Sequence, residues 1–335
     1  MKNITFPVRD SAAWAASTAL HPIDIPPRGA ITEIGIRFNA TMSGALASGL
    51  DYDDGFWRCL SSLSIVGDIN HFLSLNGQFA PRMLALLNAY EMHINPGCVL
   101  SSWTEANFSF VFHPGCFPHD PFDTSVIIPA SKLKEFQVFL TACAADALDS
   151  SNTISSGRYY VWVRGVLQPI TADHLMPIGH SQILMHTQND DDYGQKVKLP
   201  TQCYLRRILI LSQDESSPAV RVDDQIAGLQ VKDEELNDIL YEARWEDSKT
   251  QAAALYGLVG TGWSIEASPY LRGGLPAGFT IIDFRPITGD PRGLNTFGVA
   301  ESRYRLGLSI KNYTAGDATQ LYFDCLKPVP ENLID

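Results

Sequence analysis

The sequence predicts an all-β fold with short helical insertions, in which one β module is written twice. Three observations lead there. Short runs rich in β-branched and aromatic residues recur with period two. Turn signals built from 25 Gly and 20 Pro separate them. Six features then reappear in the same order in both halves of the chain.

Composition bounds the class. At about 150 residues per domain, 335 residues make two domains, with enough chain to bury real cores. Hydrophobic residues at 45% and charged residues at 19% form a globular mix, which excludes a disordered chain, a collagen or a coiled coil. Lys and Arg number 25 against 37 Asp and Glu, a net charge of −12. A chain so acidic lacks the basic face that phosphate backbones require, so direct nucleic-acid binding is not expected. No run approaches the ~18 apolar residues of a membrane span. The densest, Arg82 to Met92, is broken by Asn88 and Tyr90, and Leu205 to Leu211 is too short. The opening Met1 to Pro7 has one Lys and no apolar stretch, so it does not read as a signal peptide, and synthesis in a cytosol-like compartment is expected. Cys59, Cys98, Cys116, Cys143, Cys203 and Cys325 form no C-x-x-C pair and read as free, mostly buried thiols.

Along the chain, Ile31 to Asn39 puts Ile34, Ile36 and Phe38 on one face of a strand and Glu33, Arg37 and Asn39 toward the other. Strands are further expected at Phe108–Phe112, Phe136–Leu140, Tyr159–Val163, Ile208–Leu211, Phe279–Phe284, Tyr304–Ile310 and Leu321–Phe323. Pro81 to Met92 carries Met83, Leu84, Leu86, Leu87 and Tyr90 at helical spacing, with Pro81 in the first turn. Asp233 to Val259 predicts two helical pieces. The first is led by Asp233, Glu234 and Glu235 with Leu236, Ile239, Leu240 and Ala243 as its stripe; the second has Ser248 and Gln251 as a capping box.

The repeat is the most informative feature. A strand, an Asp-Asp pair (Asp53-Asp54; Asp223-Asp224), a Leu-x-Ile or Leu-x-Val strand, an Asp-led helical segment (Asp68; Asp233) and a second helix follow one another twice. The steps are 170 from Asp54 to Asp224 and 166 from Leu63 to Leu229. They are 162 from Pro114 to Pro276, 170 from Phe136 to Leu306, and 159 from Leu167 to Leu326, where each half closes on Leu-x-Pro. A boundary near 165–175 follows, giving an N-terminal unit over 1–168 and a C-terminal unit over 169–335. Two unrelated β domains with similar turn spacing remain the bland alternative. Each unit, with eight or so strands and one helical insertion, has the size of a jelly roll.

These residues resemble a family: the double jelly-roll major capsid proteins of tailless icosahedral viruses, often with an internal membrane. The likeness rests on the strand openings Pro27-Arg-Gly-Ala-Ile-Thr-Glu-Ile and Leu205-Arg-Arg-Ile-Leu-Ile-Leu, on the Asp-Asp pairs, and on a length suited to a bacteriophage-sized member. The resemblance implies a non-enzymatic capsid protein of the virion, made in the host cytoplasm, whose homotrimers are pseudo-hexameric tiles of an icosahedral shell. Implied partners are neighbouring capsomers, penton and minor capsid or membrane proteins, and indirect contact with a lipid bilayer. On this reading Asp173–Leu199 and Gly260–Gly278 are long irregular segments that make lateral contacts. Lys132 and Lys134 or Arg206 and Arg207 are candidates for the bilayer side, although Arg206-Arg207 reads better with one side chain in solvent and one at a subunit contact.

Candidate chemistry is thin. His113, Cys116, His119, Asp120 and Asp123 could assemble a metal site, but their spacing matches no zinc pattern and Pro114, Pro118 and Pro121 point to a rigid surface loop. His174, His180 and His186 would share a face only on a strand, which Pro177 and Gly179 should interrupt. Asp190, Asp191 and Asp192 lack EF-hand spacing and read as a solvated loop. No phosphate loop, nucleophile elbow or cupin H-x-H pair is present. No catalytic, cofactor-binding or metal residue is therefore assigned. The rival is a two-domain β-sandwich glycan-processing or carbohydrate-binding protein, which would gather Asp, Glu and Trp in an interdomain cleft.

Overall fold

The computed structural model describes residues 2–44, 58–77, 79–92, 105–115, 123–148, 152–214, 220–257, 271–272, 275–301 and 303–335. Ten strands and one helix come first: β1 Lys2–Ala13, β2 Ile23–Asp24, β3 Ala30–Met42, β4 Leu60–Gly67, β5 Asn70–Leu75, α1 Arg82–Met92, β6 Glu105–Phe112, β7 Phe136–Ala142, β8 Ile154–Leu167, β9 Leu175–Met185 and β10 Asp190–Lys198 complete this stretch. The rest comprises β11 Tyr204–Asp214, β12 Val220–Arg221, β13 Ile226–Asp233, β14 Asp238–Arg244, α2 Trp245–Tyr256, β15 Leu271–Arg272 and β16 Leu275–Pro276. It ends with β17 Phe279–Asp283, α3 Phe284–Thr288, β18 Leu294–Asn295, β19 Tyr304–Ile310 and β20 Asp317–Pro328.

One pairing scheme occurs twice. Strands β1-β8-β3-β6 form one sheet and β2-β7-β4-β5 lie side by side in another. Later in the chain β9-β20-β11-β17 and β10-β19-β13-β14 repeat both orders, strand for strand. Compact packing divides the chain into Met1–His180 with Leu326–Asp335, and Ser181–Cys325. That division falls twelve residues beyond 168, inside β9, and returns the last ten residues to the first unit.

Alternation explains how each unit is filled. In β7 every second residue is buried, as a sheet with one face on a core requires. In the first unit Ile34, Ile36, Phe38, Leu63, Ile65, Phe110, Val138, Leu140, Val161 and Val163 are all buried. Phe38 stacks on Tyr159, its cross-strand partner, with centroids 4.3 Å apart. The second unit centres on Leu205, Ile208, Ile210, Leu229, Val231, Leu306, Leu308, Leu321 and Phe323. Burying each such side chain contributes about 1.5–3 kcal/mol.

In both halves a helix covers the edge of a sheet. The Asn88 side chain on α1 donates to Val111 O at 2.7 Å and accepts from Val111 N at 2.9 Å, completing the open edge of β6. On α2, Ser248 is buried and its hydroxyl meets Thr280 Oγ1 of β17 at 3.0 Å. Asn88→Ala should therefore cost about 1–3 kcal/mol, because two partly buried backbone groups lose their partner. Thermal unfolding of that variant checks it, and an unchanged midpoint would mean that water replaces the amide.

Several sequence expectations need correction. Asp233–Ala243 is not a helix: it is the end of β13, a turn, and β14. Asp233 Oδ1 accepts from Glu235 N and Leu236 N, and Asn237 takes φ 55°, so the acids close a hairpin rather than start a helix. Asp68 also lies in a hairpin turn, between β4 and β5, where it takes φ 50°, but its Oδ1 accepts from Lys134 N and Glu135 N just before β7. The helix around Ser248 is real but begins at Trp245, so Ser248 sits inside it and caps nothing. Phe284 belongs to α3 and not to the preceding strand, because Asp283 accepts from Arg285 N and caps that short helix. Asp173–Leu199 is not irregular either; it holds β9 and β10. Of Gly260–Gly278, residues 260–270 and 273–274 lie outside the described residues, as do Asp53 and Asp54.

Candidate functional site

The residues singled out for chemistry do not converge. His113 and Asp123 are buried on either side of Gly115, where a Cβ would approach His113 Cε1 to 2.5 Å and Asp123 Oδ2 to 2.9 Å. Asp123 Oδ1 accepts from the backbone N and hydroxyl of Ser125, the pattern of a turn. Cys116, His119 and Asp120 lie outside the described residues. Strand β9 runs through Pro177 and Gly179 without the expected break, yet the histidines keep separate surroundings. His174 Nδ1 accepts from Thr171 N at 3.0 Å, whereas His186, beyond the strand, is buried between Gln195 Oε1 at 2.8 Å and Thr319 Oγ1 at 2.9 Å. Burial holds the His186 imidazole below its ordinary pKa, against the pull of Gln195 and Asp317. Asp190–Asp192 open β10 instead of forming a loop, with Asp190 Oδ1 accepting from Asp192 N. Among the described residues no group of three His, Cys, Asp or Glu is placed to hold a metal ion.

The strongest electrostatic feature is buried, contrary to the expectation that one of its arginines faces solvent. Arg206 and Arg207 are both buried, at 1% and 2% exposure, and neither faces solvent. Strand β11 is covered on both faces, so both guanidiniums need a partner inside. That partner is Asp324 on β20, 2% exposed: its Oδ2 takes Arg206 Nε at 2.9 Å and Arg207 Nε at 2.6 Å. Arg207 also reaches the Tyr256 hydroxyl at 3.3 Å, which donates to Asp283 Oδ2 at 2.9 Å, and Arg285 pairs with the same carboxylate. Burial alone would raise the Asp324 pKa, but the two arginines outweigh it and hold the carboxyl below its usual range. These five ionic groups are arranged to tie strands together.

A second buried cluster gives Asp223, the first acid of the later Asp-Asp pair, a role. Asp223 Oδ1 accepts from Gly278 N at 2.7 Å, from Lys249 Nζ at 2.8 Å and from Trp245 Nε1 at 3.1 Å. It thereby fastens α2 and the approach to β17 to one carboxylate. Of the remaining candidate groups, Lys132 pairs with Asp335 at 2.6 Å. Cys59, Cys143, Cys203 and Cys325 are buried free thiols, and Cys98, Cys116, Trp57, Trp103 and Trp263 lie outside the described residues.

The surface carries one repeated signal that the sequence did not yield. Ile69 at the β4–β5 turn and Leu236 at the β13–β14 turn are 90% and 67% exposed. Single exposed apolar side chains are ordinary. These two are the most exposed large hydrophobics among the described residues, and they occupy corresponding turns of the two halves.

No protein-family model matches the chain, and a search of curated proteins gives no match. Solved structures do match. The STIV MCP, from Sulfolobus Turreted Icosahedral Virus, superposes with a TM-score of 0.73 at 14% identity, over 98% of this chain and 97% of that one. The PBCV-1 virus capsid aligns at TM-score 0.57 and 11% identity, over 97% and 93%. The Faustovirus major capsid protein aligns at 0.54 and 7%, over 97% and 90%. With the strand order found twice, these likenesses establish that the chain is all-β and has the double jelly-roll fold of those capsid proteins.

Proposed function

We propose that this chain is a viral major capsid protein, without enzymatic activity, whose two jelly rolls (1–168 and 169–335) let a homotrimer act as a pseudo-hexagonal tile of an icosahedral shell. The observation that carries the reading is the near end-to-end likeness to the STIV MCP. A duplicated module has a physical use in such a shell: three chains offer six similar edges, so one gene product covers a closed surface through repeated symmetric contacts. Ile69 and Leu236, presented from corresponding turns, suit contacts to other shell components. The partners on this reading are neighbouring capsomers, penton and minor capsid or membrane proteins, with a lipid bilayer touched only indirectly. The virion of a bacteriophage-like particle with an internal membrane is the destination, after synthesis in the host cytoplasm. The glycan-processing alternative is weaker, since a peptide-N-glycanase structure superposes only at TM-score 0.36.

Solution mass and electron microscopy test this directly. The purified chain should sediment as a trimer of its 36.9 kDa subunit, and co-expressed shell components should give closed particles. Ile69→Asp and Leu236→Asp should leave thermal unfolding within about 0.5 kcal/mol of wild type, as exposed substitutions do, while lowering particle yield. A chain that stays monomeric at high concentration and forms no particles would refute the reading.

A further inference from the structure

We infer that the outer face of the β1-β8-β3-β6 sheet carries a binding groove for a neutral oligosaccharide. The groove, about 440 Å³, is lined by Asn39 and Thr41 on β3, Glu105 and Asn107 on β6, and Ser156 and Arg158 on β8. That volume lies in the range of small-molecule sites. The register puts Asn39 opposite both Asn107 and Arg158, and Thr41 opposite both Glu105 and Ser156. Six polar side chains from three adjacent strands therefore stand in two rows on one face.

Their chemistry selects the ligand class. One carboxylate and one guanidinium cancel, so there is no excess charge to recognise a phosphate or a carboxylate. The lining has no large apolar side chain, which excludes a lipid or an apolar cofactor. Two amides, two hydroxyls, a carboxylate and a guanidinium offer donors and acceptors together, the match for a molecule whose hydroxyls do both. The groove is also built. Arg158 is held in its place in the lining by donation to Ser11 Oγ at 2.7 Å.

Two aromatic side chains extend the same face. Tyr160 and Trp162 follow Arg158 at steps of two along β8, so they lie about 7 and 14 Å farther on. Arg37 rests over the Tyr160 ring at 4.9 Å. Trp162 lies flat over Gly35, where a Cβ would come within 1.9 Å of the indole, so glycine at that position is what allows the ring to bed down. The Trp162 indole, half-buried and in line with the polar groove, suits the apolar face of a sugar ring, whereas the Tyr160 ring is covered by Arg37. In the matching sheet of the other half, β11 and β20 are instead buried on both faces.

The test is ligand-observed saturation-transfer NMR and calorimetry on the full chain. The probes are maltotriose, chitotriose and mannotriose, with glucose, N-acetylglucosamine and mannose. At least one trisaccharide should bind with Kd of about 1 mM or tighter. Asn107→Ala and Arg158→Ala, both at exposed positions, should weaken it at least tenfold with unfolding unchanged. Trp162→Leu should reduce trisaccharide affinity to that of the monosaccharide. The inference fails if no trisaccharide binds, if Asn107→Ala and Arg158→Ala leave binding intact, or if this face becomes protected from hydrogen exchange on self-association, which would assign it to a second copy. Binding is measured on the dissolved chain, so its failure leaves the capsid reading untouched, and failure to assemble leaves this one untouched.

Discussion

Asp324→Asn should destabilise the unit formed by Ser181–Cys325 by about 3–5 kcal/mol, the cost of breaking a buried ion pair from one side. The wild-type carboxylate is the shared partner of two guanidiniums that solvent barely touches. The amide keeps the shape and removes the charge, so Arg206 and Arg207 stay buried with their main counter-ion gone. At about 2–4 °C per kcal/mol for a domain of this size, the unfolding midpoint of that unit falls by roughly 10 °C. A companion variant separates the cost of unpaired charge from the worth of the pair. Replacing Arg206, Arg207 and Asp324 together by Met, Leu and Leu removes all three charges and should recover most of the loss. Calorimetry on the three proteins decides. An Asp324→Asn midpoint within about 1 °C of wild type would mean that the two guanidiniums do not depend on Asp324, Arg207 being held through Tyr256 and Asp283 instead.

How much of this was legible in the sequence depended on which physical signal each residue emits. Strands with one buried face announce themselves by alternation, so β3, β7 and β19 could be placed closely. The twofold repeat was visible because turn chemistry and strand length are kept even where side chains differ. Edge strands were not visible: β10, Asp190–Lys198, has one buried residue in nine and looks like a loop. Hairpin β13–β14 resembles a helix in the sequence because Leu236, Ile239, Leu240 and Ala243 fit a 3.6-residue stripe as well as a strand pair, and Asp233 serves a turn as readily as a helix start. The Arg206–Asp324 pairing was out of reach. It joins residues 118 apart across neighbouring strands, and strand-to-strand register is set by the fold, not by spacing in the chain. The polar groove was hidden for the same reason. Asn39, Asn107 and Arg158 come together only when β3, β6 and β8 pair.

Asp223→Ala should cost about 3 kcal/mol at neutral pH, by stranding the buried Lys249 ammonium and leaving Trp245 Nε1 and Gly278 N without their acceptor. Lys249 has a second acid within reach, Glu246 at 3.8 Å, but that carboxylate is largely exposed and compensates little. The same change should alter the acid limb of the stability curve. Burial would raise the Asp223 pKa, yet Lys249, Gly278 N and Trp245 overcome it, so the folded value lies below the unfolded one. Its stabilisation is therefore complete above the unfolded value of about 3.9 and is lost as pH falls through the folded value. Asp283 and Asp324 shift the same way, each against the opposing effect of burial, and add to the loss. Asp317 opposes them: burial raises its pKa, so taking up a proton favours the folded chain as pH drops. Unfolding midpoints between pH 7 and 3 should then stay nearly flat with respect to these three aspartates until about pH 5 and fall steeply below 4. In Asp223→Ala the whole curve sits lower and its acid limb is shallower, because one of the titrating groups has gone. Two curves offset by a constant amount down to pH 3 would show that Asp223 titrates alike in the folded and unfolded chain, and that its ring of donors holds no charge in place.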